Sequence, residues 1–219
     1  MEALVVEDHA IFRDLLVTLL EDRVGFTSVC GAITCNDARQ AFEAGKFDLV
    51  LCDVDLPDGD GLALADEFAR ADPRLRILAV SGQIDEFTLS RVLHSAVIGF
   101  VDKTEDDLKS LEQAVRDVLD WKSYYSRSVQ QFKVMERVNP HLVSKMLTDR
   151  ELELMRYFGL GLRNEEIAKE VGGSPSTIQG HRRNIMAKLE LKTTPDLIRL
   201  CLKTGFTRTS DIVRRSAED

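Results

Sequence analysis

Five short apolar runs, each followed by a helix-like stretch, pace the first half of this chain, and that rhythm constrains the fold more than any other feature. The runs fall at residues 3–6, 28–33, 48–52, 76–80 and 98–101. Helical patterns follow from Ile11 to Leu20, bounded by Gly25, and then at 36–44, 61–70, 85–95 and 105–119. Strands this uniformly apolar have no wet face, so both sides of their sheet must be covered. Helical crossovers between parallel strands do that. The expectation is an α/β, doubly wound domain with a five-stranded parallel sheet, whose functional groups gather at the carboxyl ends of the strands.

The residues at those ends are Glu7 and Asp8 after the first run, Asp53 after the third, Ser81 and Gly82 after the fourth, and Asp102 and Lys103 after the fifth. Brought to one sheet edge, these carboxylates repel unless a cation or a shared proton relieves them. Mg2+ suits such a site, because it takes oxygen ligands and keeps waters that a phosphoryl donor can displace. Asp53 then stands as a nucleophile, with Mg2+ and Lys103 neutralising the phosphoryl oxygens. Carboxylates that merely occupy exposed loops are the plainer alternative for any one position, but five suitable residues at four strand ends argue for a site.

After residue 121 the rhythm and the charge both change. Residues 1–121 carry 11 Lys and Arg against 25 Asp and Glu, whereas residues 122–219 carry 18 against 12. The whole-chain excess of acid therefore conceals a basic half suited to phosphates. Residues 123–144 read as a partly helical linker with a turn at Asn139-Pro140, and Trp121, Tyr124, Tyr125 and Phe132 are available to pack there. From Leu147 the signals are helical. TDRE (148–151) is a capping box, Asn164 opens a short helix that Gly172 and Gly173 close, and Ser174-Pro175 opens a longer one. That order is a helix-turn-helix. On a helical wheel Ile178, Ile185 and Leu189 form the buried stripe of the longer helix. Ser176, Gln179, Gly180, Arg183, Asn184 and Ala187 face outward, where Gln and Arg can read base edges. Arg182, Lys188 and Lys192 lie nearer the stripe and suit phosphate contacts.

The segments VEDH (6–9), LCDVDLPDGDG (51–61), SG (81–82) and GFVDK (99–103) together resemble the receiver domains of two-component response regulators, which are flavodoxin-like. LTDRE (147–151), GLRNEEIA (161–168) and SPSTIQGHRRNIMAKL (174–189) resemble the DNA-binding domain of NarL/LuxR-type regulators, an all-α, four-helix helix-turn-helix domain. The resemblance implies a receiver at 1–122, a linker at 123–144, a DNA-binding domain at 145–205 and a tail at 206–219. It implies that Asp53 accepts a phosphoryl group from a sensor histidine kinase or small phosphodonor. Glu7, Asp8, Asp53 and the Asp55 carbonyl would hold Mg2+, while Ser81 and Lys103 engage the phosphoryl oxygens and Phe100 acts as the switch aromatic. Ser176, Thr177, Gln179, Gly180, Arg182, Arg183 and Lys188 would meet double-stranded DNA, and Leu197, Ile198 and Cys201, in a helix at 195–204, would support a homodimer.

Departures from the family pattern qualify this. Gly59 stands where Met is frequent, implying a looser loop, and Asp55 and Asp102 add carboxylates near the site. Glu165 replaces a usual base and sets repulsion against a phosphate, Gly173 removes a packing group, and Gly180 offers no side chain to a base. A regulator that binds protein, or one that binds DNA without phosphorylation, therefore stays open as the alternative. No catalytic activity beyond the phosphoryl chemistry is expected. No run approaches the roughly 18 apolar residues of a spanning helix and no signal region is evident, which leads to the expectation of a soluble, cytoplasmic protein without a membrane partner. Cys30, Cys35, Cys52 and Cys201 lack zinc spacing and read as buried free thiols. The histidines, His9, His94, His141 and His181, are too dispersed to suggest a cluster.

Overall fold

The structure, a computed structural model, describes residues 1–207, 211, 212 and 215, so most of the tail expected at 206–219 lies outside the described residues. Contacts divide the chain into one compact unit of residues 1–84 and 91–133 and a second of residues 85–90 and 134–219. No helix among the described residues is long and apolar enough to cross a membrane.

The first part runs β1 (Glu2–Val6), α1 (Ala10–Thr18), a π-helical turn (Leu19–Val24), β2 (Ser28–Ala32), α2 (Cys35–Ala44), β3 (Leu49–Asp53), β4 (Asp55–Leu56), β5 (Gly59–Asp60), α3 (Gly61–Ala71), β6 (Arg76–Ser81), α4 (Glu86–His94), β7 (Gly99–Asp102) and α5 (Leu108–Leu119). The five-stranded sheet has the order β2-β1-β3-β6-β7. Its strands are all parallel, with Leu4 opposite Cys30 and Val50, and Leu78 opposite Leu51 and Gly99. The apolar runs predicted this layout, and β1, β3, β6 and β7 are buried on both faces as expected, whereas the edge strand β2 buries only Ala32 fully. Ala3, Val5, Leu49, Leu51, Leu78 and Val80 pack with Leu16, Leu19, Leu20, Leu111, Val115 and Val118. Leu4, Val6, Val50, Ile77 and Ala79, of the opposite parity, are equally buried. On the α2–α3 side Phe42 stacks on Phe68, ring centroids 4.2 Å apart. Each such buried aliphatic side chain contributes about 1.5–3 kcal/mol.

Two features escaped periodicity. Residues 55–60 close into the two-residue hairpin β4–β5, too short to carry an apolar pattern. The segment Tyr124–Ser126, expected as linker, lies along the outer edge of β7. Phe100 N donates to Tyr124 O (2.8 Å), and Ser126 N donates to Phe100 O (3.0 Å). These bonds cover an edge that would otherwise expose unpaired backbone groups. Within the rest of the linker, α6 (Arg127–Val138) buries Val129 and Phe132. Trp121 instead is half exposed, with the Arg76 guanidinium 4.9 Å from its ring centroid.

The second part contains α7 (Val143–Met146), α8 (Asp149–Gly159), α9 (Asn164–Val171), α10 (Pro175–Lys188) and α11 (Thr194–Thr204). The capping box at Thr148 and Glu151 is formed, and Ser174 accepts from Thr177 N with Pro175 in the first turn. Leu154, Met155, Phe158, Ile167, Ile178, Ile185, Leu197 and Cys201 make one core.

Candidate functional site

Because all five strands are parallel, the chain turns outward at the same edge after β1, β3, β6 and β7, and this edge holds the predicted residues. A cavity of about 510 Å3 opens there, lined by His9, Phe12, Asp53, Asp55, Ser81 and Lys103 among others. Lys103 Nζ lies 2.6 Å from Asp53 Oδ2 and 2.7 Å from Glu7 Oε2. The same ammonium sits 4.7 Å from the centre of the Phe12 ring. Glu7 and Asp53 are nearly inaccessible, at 1% and 6% exposure, so the lysine offsets the charge of two largely desolvated carboxylates. Burial pushes the Asp53 carboxyl up to about 6, with Lys103 opposing that rise and Glu7 adding to it. Burial alone would lower Lys103, but Asp53 and Glu7 outweigh it and hold the ammonium above its ordinary range.

Asp8 Oδ1 is buried without a hydrogen bond, although His9 Nδ1 lies 2.9 Å away. Glu7, Asp8, His9 and Asp53 each turn a donor atom inward, and these atoms all lie within 4.8 Å of one another. The three predicted carboxylates thus meet in one place, and His9 joins them. Its backbone amide also donates to Glu7 Oε1 at 3.1 Å. Sequence reasoning missed His9, because it compared histidines with one another and not with the adjacent acids. An orphaned carboxylate oxygen within such an oxygen-rich set fits a hard divalent cation.

Ser81 is buried, its hydroxyl accepting from Gln83 N at 3.0 Å. Gln83 Nε2 donates to Asp55 Oδ2 at 2.9 Å, so the extra carboxylate of Asp55 is turned toward this amide. The loop after Asp53 is tied down, which corrects the expectation of looseness at Gly59. Asp58 accepts from the amides of Cys35 (2.6 Å) and Asn36 (2.9 Å), and a Cβ on Gly59 would stand 2.9 Å from Cys35 Sγ. A Cβ on Gly61 would fall 1.8 Å from the Asp53 carbonyl oxygen, so only glycine lets α3 start this close to the nucleophile.

Asp102 does not join the carboxylate cluster. Its Oδ1 accepts from Thr104 N (2.9 Å) and Thr104 Oγ1 (2.6 Å), closing the turn that carries Lys103. Ser126 Oγ accepts from Asp102 N (2.8 Å) and donates to Phe100 O (3.0 Å). Phe100 is fully buried. Of the cysteines, Cys35, Cys52 and Cys201 are buried as expected, whereas Cys30 is only partly so. Burial pushes the thiols of Cys35 and Cys201 up to about 12, which keeps them protonated and unreactive.

On α10 the wheel assignment is largely reproduced: Ile178 and Ile185 are buried and Ser176, Gln179, Arg183, Asn184 and Ala187 are exposed, with Thr177 exposed beside them, whereas Leu189 and Gly180 are only half-buried. Nothing lies within 4 Å of the position a Cβ would take on Gly180. Two of the residues expected at phosphates use their donors inside the domain. Arg182 Nε donates to Asn164 Oδ1 (3.1 Å) and its Nη2 to Leu162 O (2.9 Å), with the guanidinium 4.5 Å from the Phe158 ring centroid. Lys188 Nζ lies 2.6 Å from Glu151 Oε2. Burial would raise Glu151, but Lys188 and the Thr148 amide and hydroxyl hold its carboxyl below the usual range. Glu165, read as a repulsive substitution, supplies a favourable field to the half-buried Arg182.

The dimerisation expectation at α11 needs a larger correction. Leu197 and Cys201 are fully buried in the domain's own core, and Cys201 Sγ donates to Met155 O at 3.2 Å. Ile198 is partly exposed, and Leu202, not anticipated, is 40% exposed. The helix turns one apolar stripe inward and a second, shorter one outward, and sequence alone could not say which was which.

Comparison with known proteins agrees with both halves. Residues 3–116 match the family "Response regulator receiver domain" and residues 145–201 match "Bacterial regulatory proteins, luxR family". The chain is 30% identical over 213 residues to the oxygen regulatory protein NreC of Staphylococcus haemolyticus (strain JCSC1435), covering 93% of this chain and 97% of that protein. NreC of Staphylococcus aureus (strain MRSA252) is 30% identical over 212 residues, with the same coverage of both chains. Among solved structures, RcsB from Salmonella enterica serovar Typhimurium, bound to promoter P1flhDC in the presence of the phosphomimetic BeF3-, aligns with a TM-score of 0.62 at 22% identity. That alignment covers 94% of this chain and 98% of RcsB. An RcsB–DNA complex aligns with a TM-score of 0.60 at 24% identity, covering 91% of this chain and 96% of that one. With the strand-end carboxylates, Ser81 and Lys103 assembled at one pocket of the first unit and a helix-turn-helix within the second, the chain belongs to the two-component response regulators that carry a luxR-family regulatory domain.

Proposed function

We propose that this protein is a phosphorylation-controlled transcription factor in which Asp53 is the phosphoacceptor and the outward face of α10 reads double-stranded DNA. The observation that carries the proposal is the buried Asp53 carboxylate, held by Lys103 beside Glu7 and Asp8 at the mouth of an open cavity. An oxygen of Asp53 attacks the phosphorus of a sensor histidine kinase's phosphohistidine, or of a small phosphodonor. The donor's P–N or P–O bond breaks as the Asp53 O–P bond forms. Lys103 stays at the new phosphoryl group as its cation, and Ser81 Oγ, at the last residue of β6, offers a donor to a phosphoryl oxygen. Glu7, Asp8, Asp53 and the Asp55 carbonyl would hold Mg2+, which supplies charge neutralisation for the transferred phosphoryl. Once Lys103 and Ser81 turn to the phosphoryl group, β7 and the buried Phe100 are the elements positioned to respond.

In the second domain, Ser176, Thr177, Gln179, Gly180 and Arg183 form the DNA-facing set, with Gln179 and Arg183 as base readers. Arg182 and Lys188 act as positioning residues that fix α10 against α9 and α8. A homodimer would use the outer stripe of α11, Ile198 with Leu202, and would place two copies of α10 on half-sites about one helical turn apart. The experiment is incubation with acetyl phosphate and Mg2+, read by intact mass, on wild type and Asp53→Asn. Gain of one phosphoryl group on wild type alone is expected, and no gain on wild type would overturn the switch. DNA binding measured across salt should then fall steeply as counterions compete; a flat response would favour a protein-binding regulator.

A further inference from the structure

The carboxylates at this pocket account for a hard cation, and His9 adds a donor of a different kind. Its imidazole Nδ1 lies 2.9 Å from Asp8 Oδ1 and 3.3 Å from Glu7 Oε1. It is one of four donor groups whose atoms all fall within 4.8 Å of one another. His9 begins the turn into α1, and its amide donates to Glu7 Oε1 at 3.1 Å, which fixes the backbone there, while the Nδ1 contacts place the ring beside the acids. Asp8 Oδ1 has no hydrogen bond although it is buried, which leaves the oxygen nearest the imidazole directed at the same small volume. The side chain makes no helix-capping bond and is 76% exposed, so neither the start of α1 nor the core accounts for an imidazole at this position.

Resting on the receiver reading of this pocket, we propose that His9 makes it a mixed nitrogen–oxygen site that takes first-row transition ions such as Ni2+ or Zn2+ in competition with Mg2+. Mg2+ gains little from an imidazole, because it prefers oxygen ligands and keeps several waters. Ni2+ and Zn2+ gain a great deal, since imidazole is among their best protein ligands. The preference between the two classes of ion therefore resides in one exposed side chain, and the carboxylates serve both.

The test is calorimetric titration of the untagged full chain with Ni2+ and, separately, with Mg2+, in wild type, His9→Ala and Asp8→Asn. His9→Ala should weaken Ni2+ binding about tenfold or more. It should leave Mg2+ affinity within about twofold, because the hard ion's oxygen ligands remain. Asp8→Asn should weaken both ions, and excess Mg2+ should displace Ni2+ from wild type. Equal Ni2+ affinity in wild type and His9→Ala overturns the proposal, as does Ni2+ binding untouched by Asp8→Asn. A wild-type chain that binds no Mg2+ and takes no phosphoryl group overturns the receiver reading instead, so the two failures are distinct. A second readout is the His9 ring nitrogen resonance, which should shift with Zn2+ and not with Mg2+.

Discussion

Lys103 Nζ stands 2.6 Å from Asp53 Oδ2, and the same nitrogen is 2.7 Å from Glu7 Oε2, so one ammonium offsets two buried carboxylates from different strands. Removing the cation leaves the acids facing each other in a medium that screens them poorly. Lys103→Met should destabilise the full chain's receiver transition by about 2–4 kcal/mol at neutral pH, as expected for breaking a buried pair by deleting one partner. Urea unfolding measures it. The loss should shrink at pH 5, where a carboxyl can take up a proton; an equal loss at both pH values would contradict this account.

Asp53 itself is placed for chemistry at a cost in stability. Its carboxyl rises from 3.8 to about 6, chiefly through burial. Between those values the folded state holds a proton that the unfolded chain has released, so stability falls as pH rises through that window and stays lower above it. Asp53→Asn should therefore raise receiver stability by about 1–3 kcal/mol at pH 7.5 and flatten the pH dependence between pH 4 and 6. Thermal unfolding across that range decides it.

Glu151 obeys the opposite sign. Held below its ordinary range by Lys188 and the Thr148 donors, it stabilises the second domain above pH 4.5, and that contribution is lost as pH falls through its folded value. Glu151→Gln should cost up to about 1 kcal/mol at pH 7 through the lost ion pair to Lys188, because a Gln carbonyl oxygen still accepts from Thr148 N and keeps the cap. At pH 3 the difference from wild type should be smaller. A Lys188→Gln variant should weaken DNA binding only as far as it loosens α10, without lowering the salt slope by the full unit that a phosphate contact carries.

Ser126→Ala removes the hydroxyl that bridges Asp102 N and Phe100 O at the covered edge of β7. The expected cost is about 1 kcal/mol, because the hydroxyl's bonds are lost while Phe100 O keeps the Ser126 amide and Asp102 N keeps Asp106 Oδ2 at 3.0 Å. Amide exchange should speed at Phe100, Asp102 and Ser126 well before it changes in β1 or β3. Uniform exchange changes across the sheet would show that this segment is not a separate clip.

Gly180→Ala should raise the stability of the second domain by about 0.5–1 kcal/mol, since α10 is helical there and open space surrounds the missing Cβ. If thermal unfolding shows a loss instead, the surroundings of Gly180 are tighter than the structure gives.

The sequence by itself determined the sheet. Runs such as 77–80, alternating with helical patterns, read as central parallel strands, since uniform apolarity demands cover on both faces. Parallel strands then deliver Glu7, Asp53, Ser81 and Lys103 to one edge without further information. The wheel on α10 was equally legible, because Ile178 and Ile185 share a face at any helical pitch near 3.6. Tertiary structure decided the matters of partnership. Arg182 and Lys188 look like phosphate ligands in a string of letters, but the neighbours that take their donors, Leu162, Asn164 and Glu151, arrive from other helices. Leu197 and Cys201 could have faced a second copy until α8 was seen to cover them. His9 gained its meaning only when the turn after β1 brought its ring against Asp8 and Glu7. Burial patterns are periodic and local, so sequence carries them; the pairing of charged groups depends on which distant segments meet, and only the folded chain sets that.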